Sequence, residues 1–135
     1  MTRTHPLVTI ETVVLVAMGG ALGANLRYLV GTIVPGLGGT FVANVVGCLL
    51  LGFLVYEARY TGLVADRSRV VFGTGFLSSF TTYSTFALET VQAPVALGVA
   101  NVVGSYAVGF AAVLIGRSTA AIVRDRSTGT DEAGE

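Results

Sequence analysis

Three groups of polar residues stand inside otherwise apolar stretches of this chain, and their spacing limits the chemistry open to them. Thr40, Asn44 and Cys48 recur every four residues, which on a helix puts a hydroxyl, an amide and a thiol on one stripe. Asn101, Ser105 and Gly109 repeat that spacing. Thr74, Ser78, Ser79, Thr81, Thr82, Ser84 and Thr85 place seven Ser and Thr hydroxyls within twelve residues, among Phe76, Phe80, Tyr83 and Phe86. A Ser or Thr can satisfy itself on a carbonyl of the preceding turn. That explains any one of these hydroxyls better than it explains the concentration of them.

Acid–base and nucleophilic chemistry are poorly supplied. The one histidine, His5, lies outside the apolar stretches, and there are no paired carboxylates and no Cys and His clusters of metal-binding type. Only Arg27 and Glu89 carry charge near those stretches, so catalysis is disfavoured. Neutral donors, hydroxyls and aromatic edges lining a route suit a small ion better than a bulky metabolite. An anion is the more natural passenger, because amide N–H groups are donors and Glu89, near a span end, is the sole acid in the spans.

The elements that must position these residues follow from the charge gaps. No Asp, Glu, Lys or Arg occurs between Glu11 and Arg27, Arg27 and Glu57, Arg69 and Glu89, or Glu89 and Arg117. A helix needs roughly 20 apolar residues to cross the hydrocarbon core of a bilayer. The gaps therefore predict four transmembrane helices near residues 12–33, 38–56, 70–92 and 95–116. Together they form one channel-like domain over 12–116, preceded by a polar lead at 1–11. It is followed by a polar tail at 117–135, which fades into Ser, Thr, Gly and acidic residues and is expected to be disordered. Pro35-Gly36-Leu37-Gly38-Gly39 and Pro94 mark tight connections, and 57–69 is the one real loop.

Composition agrees: 53% of the 135 residues are hydrophobic and 12% are charged, which is too apolar for an ordinary soluble domain. The mean hydropathy is +0.76. The formal net charge of +0 offers no basic surface for nucleic acid. Asn25 and Arg27 near the end of the first span, with three spans after it, speak against a cleaved signal peptide. Cys48, the single cysteine, excludes an intramolecular disulfide. Small residues four apart, such as Gly19 with Gly23 and Ala43 with Gly47, let helices approach closely where lipid gives no hydrophobic drive for association.

Residues Gly75-Phe-Leu-Ser-Ser-Phe-Thr-Thr-Tyr-Ser-Thr-Phe86 resemble the Gly-Phe-x-Gly-Gly-x-Thr-Thr-Phe-Ser-Thr-Phe signature of the Fluc, or CrcB, fluoride channels. Gly19-Gly-Ala-Leu-Gly-Ala-Asn-Leu-Arg-Tyr28 and Gly39-Thr-Phe-Val-Ala-Asn-Val-Val-Gly47 extend the resemblance, which runs from Gly19 to Gly116. It implies an all-α membrane protein with four transmembrane helices per subunit, the third broken. It also implies an antiparallel dimer with two fluoride pathways along the interface and a structural sodium ion held by backbone carbonyls of both subunits. By the same resemblance, the pore phenylalanines fall on Tyr83 and Phe86 and the pore asparagine on Asn44. Ser84 and Thr85 match the polar track, Ser105 the serine of the last span, Arg27 the vestibule and Glu89 the acid after the signature; the sodium ligands fall on the carbonyls of Ser78 and Thr81. Two residues depart from the pattern: Tyr83 stands for Phe, and Ser78-Ser79 stands for Gly-Gly.

Alternation of the spans puts the N-terminus, the 57–69 loop and the C-terminus on one face. That face has Arg3, Arg59, Arg67, Arg69, Arg117, Arg124 and Arg126, against Arg27 alone on the other. The bias predicts one orientation in the cell membrane with both termini cytoplasmic. A subunit of fixed orientation needs a related partner inserted the opposite way, so a heterodimer is expected over a homodimer. The expected function is passive export of fluoride, which lowers its toxicity. The rivals are a small membrane scaffold, whose hydroxyls only join helices, and a proton-coupled transporter, disfavoured by the lack of a second intramembrane acid.

Overall fold

The computed structural model describes the backbone of residues 6–132 and the side chains of residues 7–126. His5 and Arg3, and the acidic end at 131–135, fall outside the residues whose side chains are described. All regular structure among the described residues is helical, in the order α1 (Pro6–Ile33), α2 (Leu37–Tyr60), α3 (Asp66–Val70), a π-helix (Val71–Leu77), α4 (Ser78–Phe80), α5 (Tyr83–Gln92) and α6 (Val95–Glu132). α1, α2 and α6 are long and apolar enough to cross a membrane. The expected span at 70–92 is divided into the π-helix, α4 and α5.

Helices are the natural choice for these sequences because, away from water, each backbone N–H and C=O must be satisfied within its own segment. The chain turns only where a residue permits it. Gly36 at φ 71 follows Pro35 between α1 and α2. Gly62 at φ 61 lets its own amide and that of Thr61 both return to the Glu57 carbonyl, closing α2. Pro94 separates α5 from α6 with almost no loop.

Two close helix approaches organise the molecule. α2 lies along α6, where a methyl on Gly116 would meet Leu49 O and sit 2.6 Å from Phe53 N, and one on Gly52 would sit 2.7 Å from Val113 O. The π-helix and α4 lie along α1, where Gly19 faces Val71 O and Gly75 faces Val16 O at 2.9 and 2.6 Å from the added carbon. Such contact between backbones is the packing that small residues allow in lipid. Large apolar side chains consequently point outward: Leu7, Met18, Leu22, Val91, Val95 and Leu114 are all well exposed, as lipid-facing residues should be.

The backbone after Arg117 remains helical to Glu132, where the sequence predicts a disordered tail. With 38 residues, α6 reaches roughly 57 Å, well beyond a hydrocarbon core of roughly 30 Å. Its extension is not solvated on all sides. Ala120 is fully buried, the Arg117 guanidinium stacks 5.1 Å over the Tyr56 ring, and that of Arg124 stacks 5.0 Å over Tyr60. Tertiary contacts with the end of α2 outweigh the polar composition of this segment.

Gly116→Ala is expected to cost about 1–3 kcal/mol by forcing α2 and α6 apart. Gly31→Ala, where an added carbon meets nothing within 4 Å, should stay within about 0.5 kcal/mol of the parent. Reversible unfolding in mixed micelles measures both.

Candidate ion pathway

The helical segment that starts at Asp66 stops at Phe80 and restarts at Tyr83. Between them Thr81 (φ −79, ψ 159) and Thr82 (φ −151, ψ 125) are extended. An extended pair within an apolar bundle exposes backbone groups that must find partners. Asn44 on α2 supplies them for Thr82: its Oδ1 accepts the Thr82 N–H at 2.8 Å and its Nδ2 donates to the Thr82 carbonyl at 3.0 Å. Thr82 in turn caps α5, its Oγ1 accepting the Thr85 N–H at 3.2 Å and donating to Thr85 Oγ1 at 3.1 Å.

These side-chain bonds have a consequence for the carbonyls. In an unbroken α-helix the Thr82 amide would donate to the Ser78 carbonyl and the Thr85 amide to the Thr81 carbonyl. Asn44 and Thr82 have taken those two donors, so the Ser78 and Thr81 carbonyls lose their helical partners. The break thus sets two opposite helix ends close together. The C-terminal end of α4 offers carbonyl oxygens, and the N-terminal end of α5 carries the positive end of a helix dipole.

Gly47 makes the room for this arrangement. A methyl there would run into Thr81 Cγ2, so only glycine lets the broken segment rest on α2 one turn beyond Asn44. The π-helix before the break has wider turns than an α-helix, a feature that recurs at functional sites.

A groove of about 570 Å³ opens beside the break, lined by Asn44, Cys48, Thr81, Thr82, Tyr83, Phe86, Ser105, Tyr106 and Phe110 among others. The rings of Tyr83 and Phe86 lie 6.1 Å apart and tilted by 38°. Tyr83 is 75% exposed, and its hydroxyl makes no hydrogen bond among the described residues. Asn44 keeps one Nδ2 hydrogen beyond the one given to Thr82. A second polar run crosses from α6 to α5: Ser105 Oγ donates to Asn101 Oδ1 at 3.4 Å, Asn101 Nδ2 to Thr90 Oγ1 at 2.8 Å, and Thr90 Oγ1 to the Phe86 carbonyl at 2.6 Å.

Of the residues singled out from sequence, Asn44, Tyr83, Phe86, Ser105, Ser78 and Thr81 line this one groove. Ser84 is exposed with its hydroxyl 3.4 Å from Thr82 Oγ1, and Thr85 is engaged in the cap. Arg27 on α1 and Glu89 on α5 do not line the groove, and Glu89 has one buried carboxylate oxygen without a hydrogen-bond partner. The Ser78 and Thr81 hydroxyls bond back to the carbonyls of Thr74 and Leu77, so these residues present carbonyls rather than hydroxyls to the break. Thr82, Gly47, Tyr106 and Phe110 were not singled out as site residues, although Tyr106 and Phe110 follow the four-residue spacing beside the Ser105 stripe. Among the described residues no group of three His, Cys, Asp or Glu converges as a metal site.

Gly47→Ala is expected to destabilise the protein by about 1–3 kcal/mol through its collision with the Thr81 methyl. Adding Thr81→Ser, which deletes that methyl, should recover most of the loss. Thermal unfolding of the two single variants and the double variant reads the coupling directly.

Known proteins resemble this chain over most of its length. Residues 14–117 match the profile of the family described as CrcB-like protein, Camphor Resistance (CrcB). The chain is 60% identical over 117 residues, 87% of its own length and 91% of the relative's, to a protein of Haloarcula marismortui named "Fluoride-specific ion channel FluC 1". It is 49% identical over 119 residues, 87% of this chain and 98% of the relative, to the protein so named from Natronomonas pharaonis. To "Fluoride-specific ion channel FluC 2" of Halobacterium salinarum it is 50% identical over 111 residues, 82% of this chain and 87% of the relative. A helix broken over a Thr-Thr pair, pinned by an asparagine and flanked by two rings, stands on a chain matched over most of its length. This protein belongs to the CrcB-like family.

Proposed function

We propose that this chain is a subunit of a fluoride-selective channel that lets fluoride leave the cytoplasm passively. The observation that carries the reading is the groove of donors and ring edges at the helix break, on a chain 60% identical to a protein named as a fluoride channel. Fluoride is small and holds its water tightly, so a selective route must replace that shell with donors. The remaining Nδ2 hydrogen of Asn44, the hydroxyl of Tyr83 and the electropositive edges of Tyr83 and Phe86 supply them. The N-terminal end of α5 adds positive potential at the same place. Fluoride enters a cell as its neutral acid and ionises in the less acidic cytoplasm, so a passive route outward lowers its toxicity; no phosphate-binding loop is visible in the sequence to couple energy to transport.

In this reading the divided segment 66–92 is the fourth crossing and the broken third helix of the bundle. The groove is open along one side and rimmed by the exposed rings of Tyr83, Tyr106 and Phe110. A second, oppositely oriented subunit closes it and supplies the other wall, which makes the working unit an antiparallel dimer. Fluoride then runs along the interface, with Ser84 and Thr85 on the polar track and Arg27 and Glu89 toward its ends. The carbonyls of Ser78 and Thr81, freed by Asn44 and Thr82, fit a sodium ion shared between the subunits, since unwound backbone carbonyls are the usual sodium ligands at membrane depth. That ion neutralises the freed backbone dipoles and holds the two breaks together.

Seven arginines on the face of the termini and the 57–69 loop, against Arg27 on the other, favour one orientation with both termini cytoplasmic. The partner is therefore a related chain of opposite orientation rather than a second copy.

Vesicles holding the purified protein with its partner should release fluoride far faster than empty vesicles, read with a fluoride electrode. Phe86→Ala should lower that efflux by about tenfold or more while leaving the dimer assembled. Efflux equal to that of empty vesicles with every subunit present would remove the channel reading. Conducting homodimers with termini labelled on both faces would remove the heterodimer.

A further inference from the structure

Among the described residues, the most deeply buried large side chain is a charged one outside the pathway. Glu57, near the end of α2, is 2% exposed. One carboxylate oxygen accepts from Thr61 Oγ1 at 2.9 Å and from the Val64 N–H at 3.0 Å. The other, Oε2, has no hydrogen bond, and neither does the buried Nε of Arg69, which faces it at 3.5 Å. Arg69 also donates from Nη1 to Asp66 Oδ1 at 2.7 Å. A carboxylate so thoroughly removed from water needs its counter-charge, and losing one member of such a pair leaves the other buried and uncompensated.

Arg69 sits at the root of the segment that breaks at Thr81–Thr82. That segment packs mainly on α1, through the close approaches of Gly19 and Gly75, and it meets α2 through few polar groups. Asn44 holding Thr82 is one tie, and Glu57 holding Arg69 is another. Asn44 and Glu57 stand thirteen residues apart on α2, and so do Arg69 and Thr82 on the segment. Between the two ties the segment contains the π-helix, whose wide turns rise less per residue than an α-helix, and then the extended Thr81 that rises more. A slip by one residue at either end would break a tie, because it would carry the Thr82 backbone away from Asn44 or the Arg69 guanidinium away from Glu57.

We propose that Glu57 and Arg69 are positioning residues for the ion pathway: their buried ion pair, acting with Asn44, fixes the lengthwise register of the broken segment on α2. The register in turn sets where the Ser78 and Thr81 carbonyls and the Tyr83 and Phe86 rings face. Glu11 and Arg67, paired at 2.7 Å but both well exposed, cannot do this, because solvent competes for each. The inference rests on the channel reading for its effect on flux but not for its effect on register.

The test uses the assembled protein with its partner in vesicles and compares Glu57→Gln, Arg69→Gln and Arg69→Lys. Amide hydrogen exchange reads the register, and fluoride efflux per assembled channel reads the pathway. In Glu57→Gln and Arg69→Gln the Thr82 amide, thirteen residues from Arg69, is expected to exchange about tenfold faster or more, with efflux reduced about tenfold. Arg69→Lys, which keeps the charge, should recover most of both. If Glu57→Gln does not assemble, Arg69→Gln decides alone, because it alters the partly exposed member of the pair.

Faster exchange confined to the 61–66 turn, with Thr82 and efflux unchanged, overturns the proposal and leaves a local loop clamp. So does lost efflux with Thr82 still protected, or a loosened Thr82 with efflux intact. If the unaltered assembly conducts no fluoride yet Thr82 still responds to Glu57→Gln, the register tie stands and the channel reading falls.

Discussion

A backbone that leaves its helix in apolar surroundings must have every freed N–H and C=O answered, and the interruption at Thr81–Thr82 exists because Asn44 answers those of Thr82. One amide side chain reproduces both hydrogen bonds of a neighbouring peptide, so the chain can run extended for two residues. Other features of the site depend on this pairing. Gly47 clears the space for Thr81, Thr82 restarts the helix as the cap of α5, and the Ser78 and Thr81 carbonyls are left with acceptor capacity that no backbone amide uses.

In the proposed reading, the same interruption serves ions of both signs. Carbonyls at the end of a helix attract a cation, and the N-terminal end of the next helix attracts an anion, so cutting a single helix produces two complementary half-sites side by side. Their separation along the segment is fixed by few residues. Rigid positioning matters here because a groove that replaces a hydration shell must hold its donors in place before the ion arrives. Close glycine contacts between α1 and the π-helix, and between α2 and α6, provide that stiffness without large interlocking side chains.

Much of this was legible in the sequence where the signal was local. The charge gaps locate α1, α2 and α6, and Pro35-Gly36 and Pro94 locate the turns, because apolar length and backbone preference act on neighbouring residues. The concentration of hydroxyls between Thr74 and Thr85 coincides with the helix break at Thr81–Thr82. Its meaning was less legible. Asn44 reads in sequence as a donor to a passing ion, whereas half of its hydrogen-bonding capacity is spent on Thr82, thirty-eight residues away, and no periodicity reports a bond of that range. The helix beyond Arg117 was missed for a similar reason: composition signals a solvated tail, while stacking of Arg117 and Arg124 on Tyr56 and Tyr60 is a property of two helices together. Glu57 looks like an ordinary charge ending a span until the loop is seen folded back over it.

The central claim, that the chain is held open at Thr81–Thr82 to hold ions, is tested most directly by electron cryo-microscopy of the proposed dimer in sodium fluoride. The account requires Asn44 paired with the Thr82 backbone, density for a cation at the Ser78 and Thr81 carbonyls, and density for an anion against the edges of Tyr83 and Phe86. A continuous helix through Thr81 and Thr82, with Asn44 turned away from it and no ion at either place, would contradict it.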